Sequence, residues 1–171
     1  MRPILMTLVV VCLTHSSFAE QKDLNRHNIG LAAGHITGSG FAYRHWFENS
    51  YGIQLTLAPY HNRSKESTST YVNAGLTGLR ILNEHERVNV VAYVGSNFRY
   101  RKSTDLYWYD MTRLPDDTYQ DNRLTAGAGI GGDIEFSSIS VNLKAGYRFS
   151  TDLEDEFVSS LSADVALFYS F

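Results

Sequence analysis

One short segment carries the three residue types that hydrolytic catalysis needs: a histidine, a serine and an acid. They are His61, Ser64 and Glu66. In a catalytic set the imidazole takes the serine proton and the carboxylate orients the imidazole, so all three must lie within hydrogen-bond reach. The segment 61–67 is polar throughout, and no pattern of a rigid element supports it. We therefore predict a hydrophilic surface loop, assign no catalytic residue and expect a protein that is not an enzyme.

The sequence gives equally weak evidence for a metal site. The histidines are scattered without ligand spacing, at His27, His35, His45, His61 and His85. Two acidic segments, 103–122 and 151–156, could hold divalent cations, but neither has the calcium-loop pattern of alternating acids followed by glycine. Solvated loops are the interpretation we favour, and no metal or other cofactor is predicted.

The first residues have the order of a secretory signal peptide. Arg2 precedes an apolar run from Ile4 to Leu13, and small residues then occupy the −3 and −1 positions at Ser17 and Ala19. The run is roughly half of the about 20 residues that a spanning helix needs. We predict cleavage after Ala19, which gives a signal peptide at 1–19 and one domain at 20–171. The single cysteine lies in the leader at Cys12, so no disulfide is expected in the mature chain.

Composition points to strands rather than helices. The chain has 11 Tyr, 9 Phe and 13 Gly but only 3 Pro, and its net charge is −3. Aromatic residues favour strands, and a weakly acidic chain offers no basic surface for nucleic acid. We therefore expect no nucleic-acid partner.

Period-2 alternation of apolar and polar residues recurs throughout the mature chain, and no helical period does. The clearest case is 139–150, where Ile139, Val141 and Leu143 alternate with Ser140, Asn142 and Lys144. The same alternation fills 157–171. We predict eight strands, at approximately 28–37, 40–48, 51–61, 70–82, 87–101, 122–136, 139–150 and 157–171.

The predicted strands are long enough to cross a membrane, which takes about 9–11 residues, whereas strands of soluble proteins are usually nearer 5–6. The long connections between predicted strands are the third, fifth and seventh, at 61–69, 102–121 and 151–156. Odd-numbered connections all lie at the same end of an up-and-down barrel, and an outer-membrane barrel likewise has its short turns at the periplasmic end. In a soluble ligand-carrying barrel the apolar face would point inward instead. Continuous apolar faces and aromatic residues gathered near strand ends favour lipid outside. The fold class is therefore all-β: an eight-stranded antiparallel up-and-down transmembrane β-barrel.

The C-terminal run 165–171 ends in an aromatic residue and has apolar residues at every second position before it. It resembles the terminal signal of outer-membrane β-barrel proteins, and the mature chain resembles the small OmpX and OmpA-transmembrane-domain type. This resemblance implies a monomer in the outer membrane of a Gram-negative cell envelope, among outer-membrane lipids and lipopolysaccharide. It also implies that the barrel-assembly machinery reads Phe171 and Tyr169 as the assembly signal.

Three roles remain open for such a barrel. We favour a structural or surface-interaction role, in envelope integrity or adhesion. Some small outer-membrane barrels are instead lipid A-modifying enzymes, a deacylase or an acyltransferase, and a porin-like small pore is the third possibility. Aromatic residues in the longest connection, Tyr107, Trp108 and Tyr109, could contact a partner, or they could form the upper end of a strand pair that projects beyond the membrane.

Charged residues on the polar face predict a lumen plugged by a charge network. A two-residue turn at 137–138 places Asp133 opposite Asn142. Lys144 is then the next inward-facing residue along the same strand. A loop near 150–156 places Asn142 opposite Asp164. Lys144 is then the centre of the network, with Asp133 and Asp164 as its nearest acids, since an inside charge without a partner costs several kcal/mol. The further inward charges are Arg44, Arg99, Glu135 and Arg148.

Overall fold

The structure is a computed structural model that describes residues 27–47, 50–64, 67–109, 112–152 and 157–171. Of residues 105–109 and 112–117 it describes the backbone only. The predicted signal peptide and its cleavage site lie outside these ranges and stay predictions. No helix within the ranges is both long and apolar enough to cross a bilayer.

Eight antiparallel strands follow one another around a closed ring, and the last strand pairs with the first. The prediction of an all-β, eight-stranded up-and-down barrel is confirmed. The strands are β1 (His27–Ala33), β2 (Gly40–Trp46), β3 (Tyr51–Arg63), β4 (Ser67–Glu84), β5 (Val88–Tyr109), β6 (Thr112–Phe136), β7 (Ile139–Asp152) and β8 (Phe157–Ser170).

Closure takes place between β1 and β8, whose register runs from Asn28 opposite Ser170 to Ala33 opposite Val165. Beyond the last pair, the Phe171 N–H donates to the His27 carbonyl at 3.1 Å. Every strand thereby has two neighbours, so the ring leaves no open edge along its length. We call the end that carries residues 27 and 171 the near end, and the opposite end the far end.

Alternation along the strands turns apolar side chains outward and most polar side chains inward. Leu161 and Ile130 on the outer face are 81% and 63% exposed, whereas Gln54 and Thr77 on the inner face are completely buried. A soluble barrel has the opposite arrangement, because water would then bathe the outer face. The predicted orientation of the two faces is therefore confirmed.

An aromatic cluster covers the outer face at the near end, where the chain closes. The ring of His27 lies 4.6 Å from that of His45 and 6.1 Å from that of Phe171, and Phe47 meets His45 edge-on at 4.7 Å. His27 Nδ1 is also 2.7 Å from the Tyr43 hydroxyl. Rings with one polar edge suit a boundary between apolar and aqueous surroundings, and the cluster joins the C-terminal residue to the first two strands.

Strand lengths differ most from the sequence-based prediction in two places. The segment 102–121, predicted as a loop, continues β5 and β6 as paired strands up to Tyr109 and Thr112, because the backbone goes on pairing beyond the ring. The first strand was predicted to reach residue 37 but ends at Ala33, because the next residues turn into the barrel.

The predicted registers hold at one hairpin and fail at the next. Asp133 lies opposite Asn142 and Gly131 opposite Lys144, as predicted. The prediction that Asn142 faces Asp164 is wrong, since Lys144 faces Asp164. The sequence of 151–156 has no turn motif from which the register could be derived, and the observed pairing is displaced by two residues, which leaves each side chain on its predicted face.

Replacing Ile130 with Arg should show that the outer face meets lipid. Ile130 lies in the part of β6 that belongs to the closed ring, and a charge near the bilayer midplane costs about 2–4 kcal/mol. Urea unfolding in vesicles should therefore show a lower free energy of unfolding for Ile130→Arg.

The matched control is Tyr119→Arg, since Tyr119 is 59% exposed, like Ile130, but lies on the extension of β6 beyond the ring. It should change the unfolding free energy by about 0–1 kcal/mol, the effect seen near the interfaces. Equal losses for the two variants would contradict a lipid-facing surface at Ile130.

Candidate functional site: the barrel lumen

At the near end, the side chains inside the barrel pack around the guanidinium group of Arg44 on β2. Arg44 Nη1 donates to Asp133 Oδ1 at 2.9 Å, and both side chains are almost completely buried, at 2% and 1% exposure. Its Nε donates to Asn28 Oδ1 at 2.8 Å and its Nη2 to Ser140 Oγ at 2.9 Å. Asn142 Nδ2 also donates to Asp133 Oδ1 at 3.3 Å, whereas Asp133 Oδ2 is buried without a partner among the described residues. Pairing of the two charges offsets part of the cost of removing them from water, so this layer is matched in charge.

Aromatic rings pack against the same guanidinium group. The Cζ atom of Arg44 lies 4.3 Å from the ring centre of Phe168 and 5.2 Å from that of Trp46. Cations are attracted to aromatic faces, and the rings also fill the cross-section. Trp46 belongs to an apolar cluster inside the barrel that the polar-face pattern did not predict, with Ile36, Leu79, Ile81, Val91 and Tyr93 as its other members.

Lys144 lies in the middle of the lumen and is 4% exposed. Its Nζ donates to Gln54 Oε1 at 3.0 Å and lies 5.7 Å from the ring centre of Tyr93. The hydrogen bond of Lys144 within the described residues thus goes to a neutral amide. Within the described residues the structure does not join Lys144 to Asp133 or Asp164 by a hydrogen bond or salt bridge, and its role as the centre of the charged interior stays a prediction. Asp133 forms an ion pair with Arg44, and Asp164 accepts hydrogen bonds from the backbone N–H groups of His35 and Thr37.

The connection between β1 and β2, residues 34–39, folds into the far half of the lumen, and we call it the inserted loop. Ile36 at its centre is completely buried. Asp164 holds it, since Oδ1 accepts the His35 N–H at 2.9 Å and Oδ2 accepts the Thr37 N–H at 3.0 Å. Hydrogen bonds to a charged group contribute roughly 1.5–3 kcal/mol each, so the loop is strongly attached to β8.

Glycines on the surrounding wall make room for the inserted loop. A Cβ atom on Gly75 would lie 2.2 Å from the Thr37 carbonyl oxygen, and one on Gly127 would lie 2.7 Å from Cδ1 of Ile36. Both distances are too short for any other residue type unless the loop moves. The positions of glycines in the sequence do not by themselves identify the segment that occupies the interior.

The other predicted lumen charges have separate partners. Towards the near end, Glu135 Oε1 accepts a hydrogen bond from Asn89 Nδ2 at 2.9 Å. Arg99 pairs with Asp121 at 2.9 Å, and Arg148 donates to Ser160 Oγ at 2.7 Å, both towards the far end. The lumen therefore contains several local groups instead of one continuous network. Sequence reasoning missed Gln54, Asn28 and the inserted loop, because contacts across a barrel do not depend on spacing along the chain.

The residues considered for catalysis do not form a set in the structure. His61 Nδ1 lies 3.0 Å from Thr70 Oγ1 on the exposed top of β3, and Ser64 Oγ donates to the Ser67 carbonyl at 3.1 Å. Glu66 lies outside the described residues. No group of three or more His, Cys, Asp or Glu side chains that could hold a metal ion occurs in the described ranges.

The candidate surface-contact residues lie at the tip of the β5–β6 hairpin. Tyr107 is paired with Leu114, Trp108 with Arg113 and Tyr109 with Thr112. Their side chains are outside the part of the chain that the structure describes, so their role stays a prediction.

Removing Arg44 should be more costly than removing Lys144. Arg44→Met leaves the buried carboxylate of Asp133 without its cation, which typically costs about 3–5 kcal/mol. Lys144→Met leaves one buried amide oxygen unbonded, at about 1–3 kcal/mol. Urea unfolding in lipid vesicles measures both.

The double variant Arg44→Met, Asp133→Asn is the control, since it removes both charges and should recover much of the loss. A larger loss for Lys144→Met than for Arg44→Met would support Lys144 as the centre of the interior.

No family model matches the chain, and none of the curated proteins matches its sequence. Three similar solved structures are the N-terminal β-barrel domain of Pseudomonas aeruginosa OprF, the attachment invasion locus protein Ail of Yersinia pestis, and Neisserial surface protein A. Their identities to this chain are 13%, 17% and 16%, with TM-scores of 0.47, 0.45 and 0.46. The alignments cover 86%, 85% and 85% of this chain and 98%, 97% and 97% of those chains. From its own strand order and closure, this chain has the architecture of the small eight-stranded outer-membrane barrels that its sequence resembles.

Proposed function

We propose that this chain is an integral outer-membrane protein with a surface-interaction role and a closed lumen. The exposed apolar outer face supports the location, because large apolar surfaces on a monomer in water are normally covered. A closed ring of strands also satisfies every backbone group in lipid, which an open sheet would not.

The observation that carries the surface role is the length of β5 and β6. They have 22 and 25 residues, about twice the 9–11 that a membrane crossing requires. The two strands stay paired up to Tyr109 and Thr112. At about 3.4 Å per residue, this hairpin projects well beyond the ring at the far end. It places a paired two-stranded ribbon outside the membrane, which suits contact with another surface.

The pore alternative is less well supported, because side chains and the inserted loop fill successive levels of the lumen. Arg44 with its rings blocks the near half, Lys144 with Gln54 the middle, and Ile36 the far half. In an eight-stranded ring the interior is about wide enough for side chains alone. We expect no steady conductance in planar bilayers.

The lipid A-modifying alternative can be tested directly. Expression of the protein should leave the lipid A mass spectrum unchanged, because His61 and Ser64 bond to Thr70 and Ser67 on an exposed strand end. A change in acylation that disappears in His61→Ala would contradict this and support an enzyme. The same change retained in His61→Ala would point to an indirect effect of expression.

Shortening the β5–β6 ribbon should abolish the surface role without disturbing the barrel. Lys102 and Gln120 face each other, so residues 103–119 can be replaced by Asn-Gly, which forms a two-residue hairpin turn. A Gram-negative host that lacks adhesins should bind immobilised matrix proteins or epithelial cells when it expresses the parent, and should return to the empty-vector level with the shortened variant.

The matched control shortens the neighbouring hairpin, where His61 faces Thr70, by replacing residues 62–69 with Asn-Gly. It should keep the adhesion of the parent, provided that outer-membrane amounts are equal. Adhesion at vector level for the parent, or full adhesion after loss of the ribbon, would contradict the proposal. In that case sensitivity of a deletion strain to detergents would test the envelope-integrity role.

A further inference from the structure

A cavity of about 220 Å³ opens at the far mouth of the barrel, above the inserted loop. Its volume equals that of roughly seven water molecules at about 30 Å³ each. The wall is polar, and the inserted loop forms part of it through Gly34, His35 and Ser39. Its charged lining side chains are Arg99, Arg123 and Arg148, and His35 lines the same space.

Three guanidinium groups around so small a space are an unusual concentration of positive charge. Two of them have carboxylate partners: Arg99 Nη2 bonds to Asp121 at 2.9 Å, and Arg123 Nε bonds to Asp152 at 3.1 Å. Arg148 has no carboxylate partner among the described residues, since its Nε donates to the Ser160 hydroxyl at 2.7 Å. Among the described residues, the three guanidinium groups that line the cavity thus outnumber their carboxylate partners by one.

Asp164 on β8 forms no ion pair with these guanidinium groups within the described residues. Both carboxylate oxygens of Asp164 accept N–H groups of the inserted loop, and Oδ1 also accepts the Ser162 hydroxyl at 3.0 Å. Its hydrogen-bonding capacity is thus directed at the loop backbone, below the cavity. Arg99 Nε is buried and has no partner among the described residues.

We propose that this cavity binds a single tetrahedral oxyanion, a phosphate or sulfate group, either free or carried on a saccharide of the outer leaflet. Guanidinium groups bond two oxyanion oxygens at once in a planar fork. Within the described ranges, Arg123 and Arg148 use only their Nε–H groups, so both terminal nitrogens of each can turn to the ligand. The polar side chains of Asn73 and Tyr71 on β4 complete the wall.

His35, which belongs to the inserted loop and lines the cavity, can report on the binding of an anion there. Partial desolvation, followed by Arg148, lowers the pKa of His35, while Asp164 opposes the shift and Arg99 and Arg123 add to it. An anion among these cations raises the pKa of His35 again, because it favours the imidazolium form. By linkage, the anion then binds more tightly as the pH falls through the titration of His35.

The experiment titrates sodium sulfate into the folded chain in detergent micelles at constant ionic strength, with calorimetry and the NMR titration of His35 as the two measurements. Sulfate is the probe because it does not titrate between pH 5 and 8. We expect saturable binding of one sulfate, a His35 titration moved to higher pH, and affinity at least tenfold weaker in Arg148→Gln. Arg123→Gln is the second variant, in case Arg148→Gln does not fold.

The control is Arg87→Gln, which removes the same charge at the exposed near end and should leave affinity unchanged. Absence of saturable binding together with an unmoved His35 titration would overturn the proposal. Equal weakening by Arg87→Gln and Arg148→Gln would overturn it as well, since the effect would then be that of net charge alone.

A second arm distinguishes the sources of the anion and rests on the proposed outer-membrane location. The chain is placed in nanodiscs of phosphatidylcholine with or without lipopolysaccharide. If a lipopolysaccharide phosphate is the occupant, the His35 titration moves without sulfate and sulfate no longer binds. If a free anion is the occupant, sulfate binds equally in both discs. Either result supports the site, and sulfate binding in micelles remains a test of it even if the membrane proposal fails.

Discussion

Closure of the sheet between β1 and β8 is the constraint on which the rest of the structure depends. Once each strand has two neighbours, the ring of eight strands has a fixed and narrow interior. Half of the side chains must fit into it, and any charge among them loses most of its water. This explains why Arg44 is bonded on three sides and pairs with Asp133 across the lumen.

The strands that form the wall of the barrel could be predicted from local sequence patterns, because the alternation of side chains within a strand depends only on residues that are close in the chain. Alternation in 139–150 identified the two faces of β7, and the tight turn at Ser137, where φ is 54°, fixed the register of Asp133 and Asn142. Even the wrong register at Asp164 kept the correct face, since its error of two residues equals the side-chain period of a strand. The fold could therefore be derived almost completely from the sequence.

The contents of the lumen could not be derived in the same way. The partner of Lys144 is Gln54, which lies on the opposite wall 90 residues earlier in the chain. Whether 34–39 turns outward or inward depends on the space left by Gly75 and Gly127 on other strands. Such contacts depend on how strands from different parts of the chain face one another, and alternation within a strand carries no information about them.

The inserted loop also determines how charge is distributed along the lumen. It brings two backbone N–H groups to the carboxylate of Asp164 on β8. Below the loop, Arg44 and Asp133 form a matched and fully buried pair. Above it, Arg148 lacks an acidic partner among the described residues. The same insertion that fills the far half of the barrel thus closes the floor beneath three guanidinium groups that have two carboxylate partners among the described residues. Charges in such a closed site are screened less by solvent than they would be in an open pore.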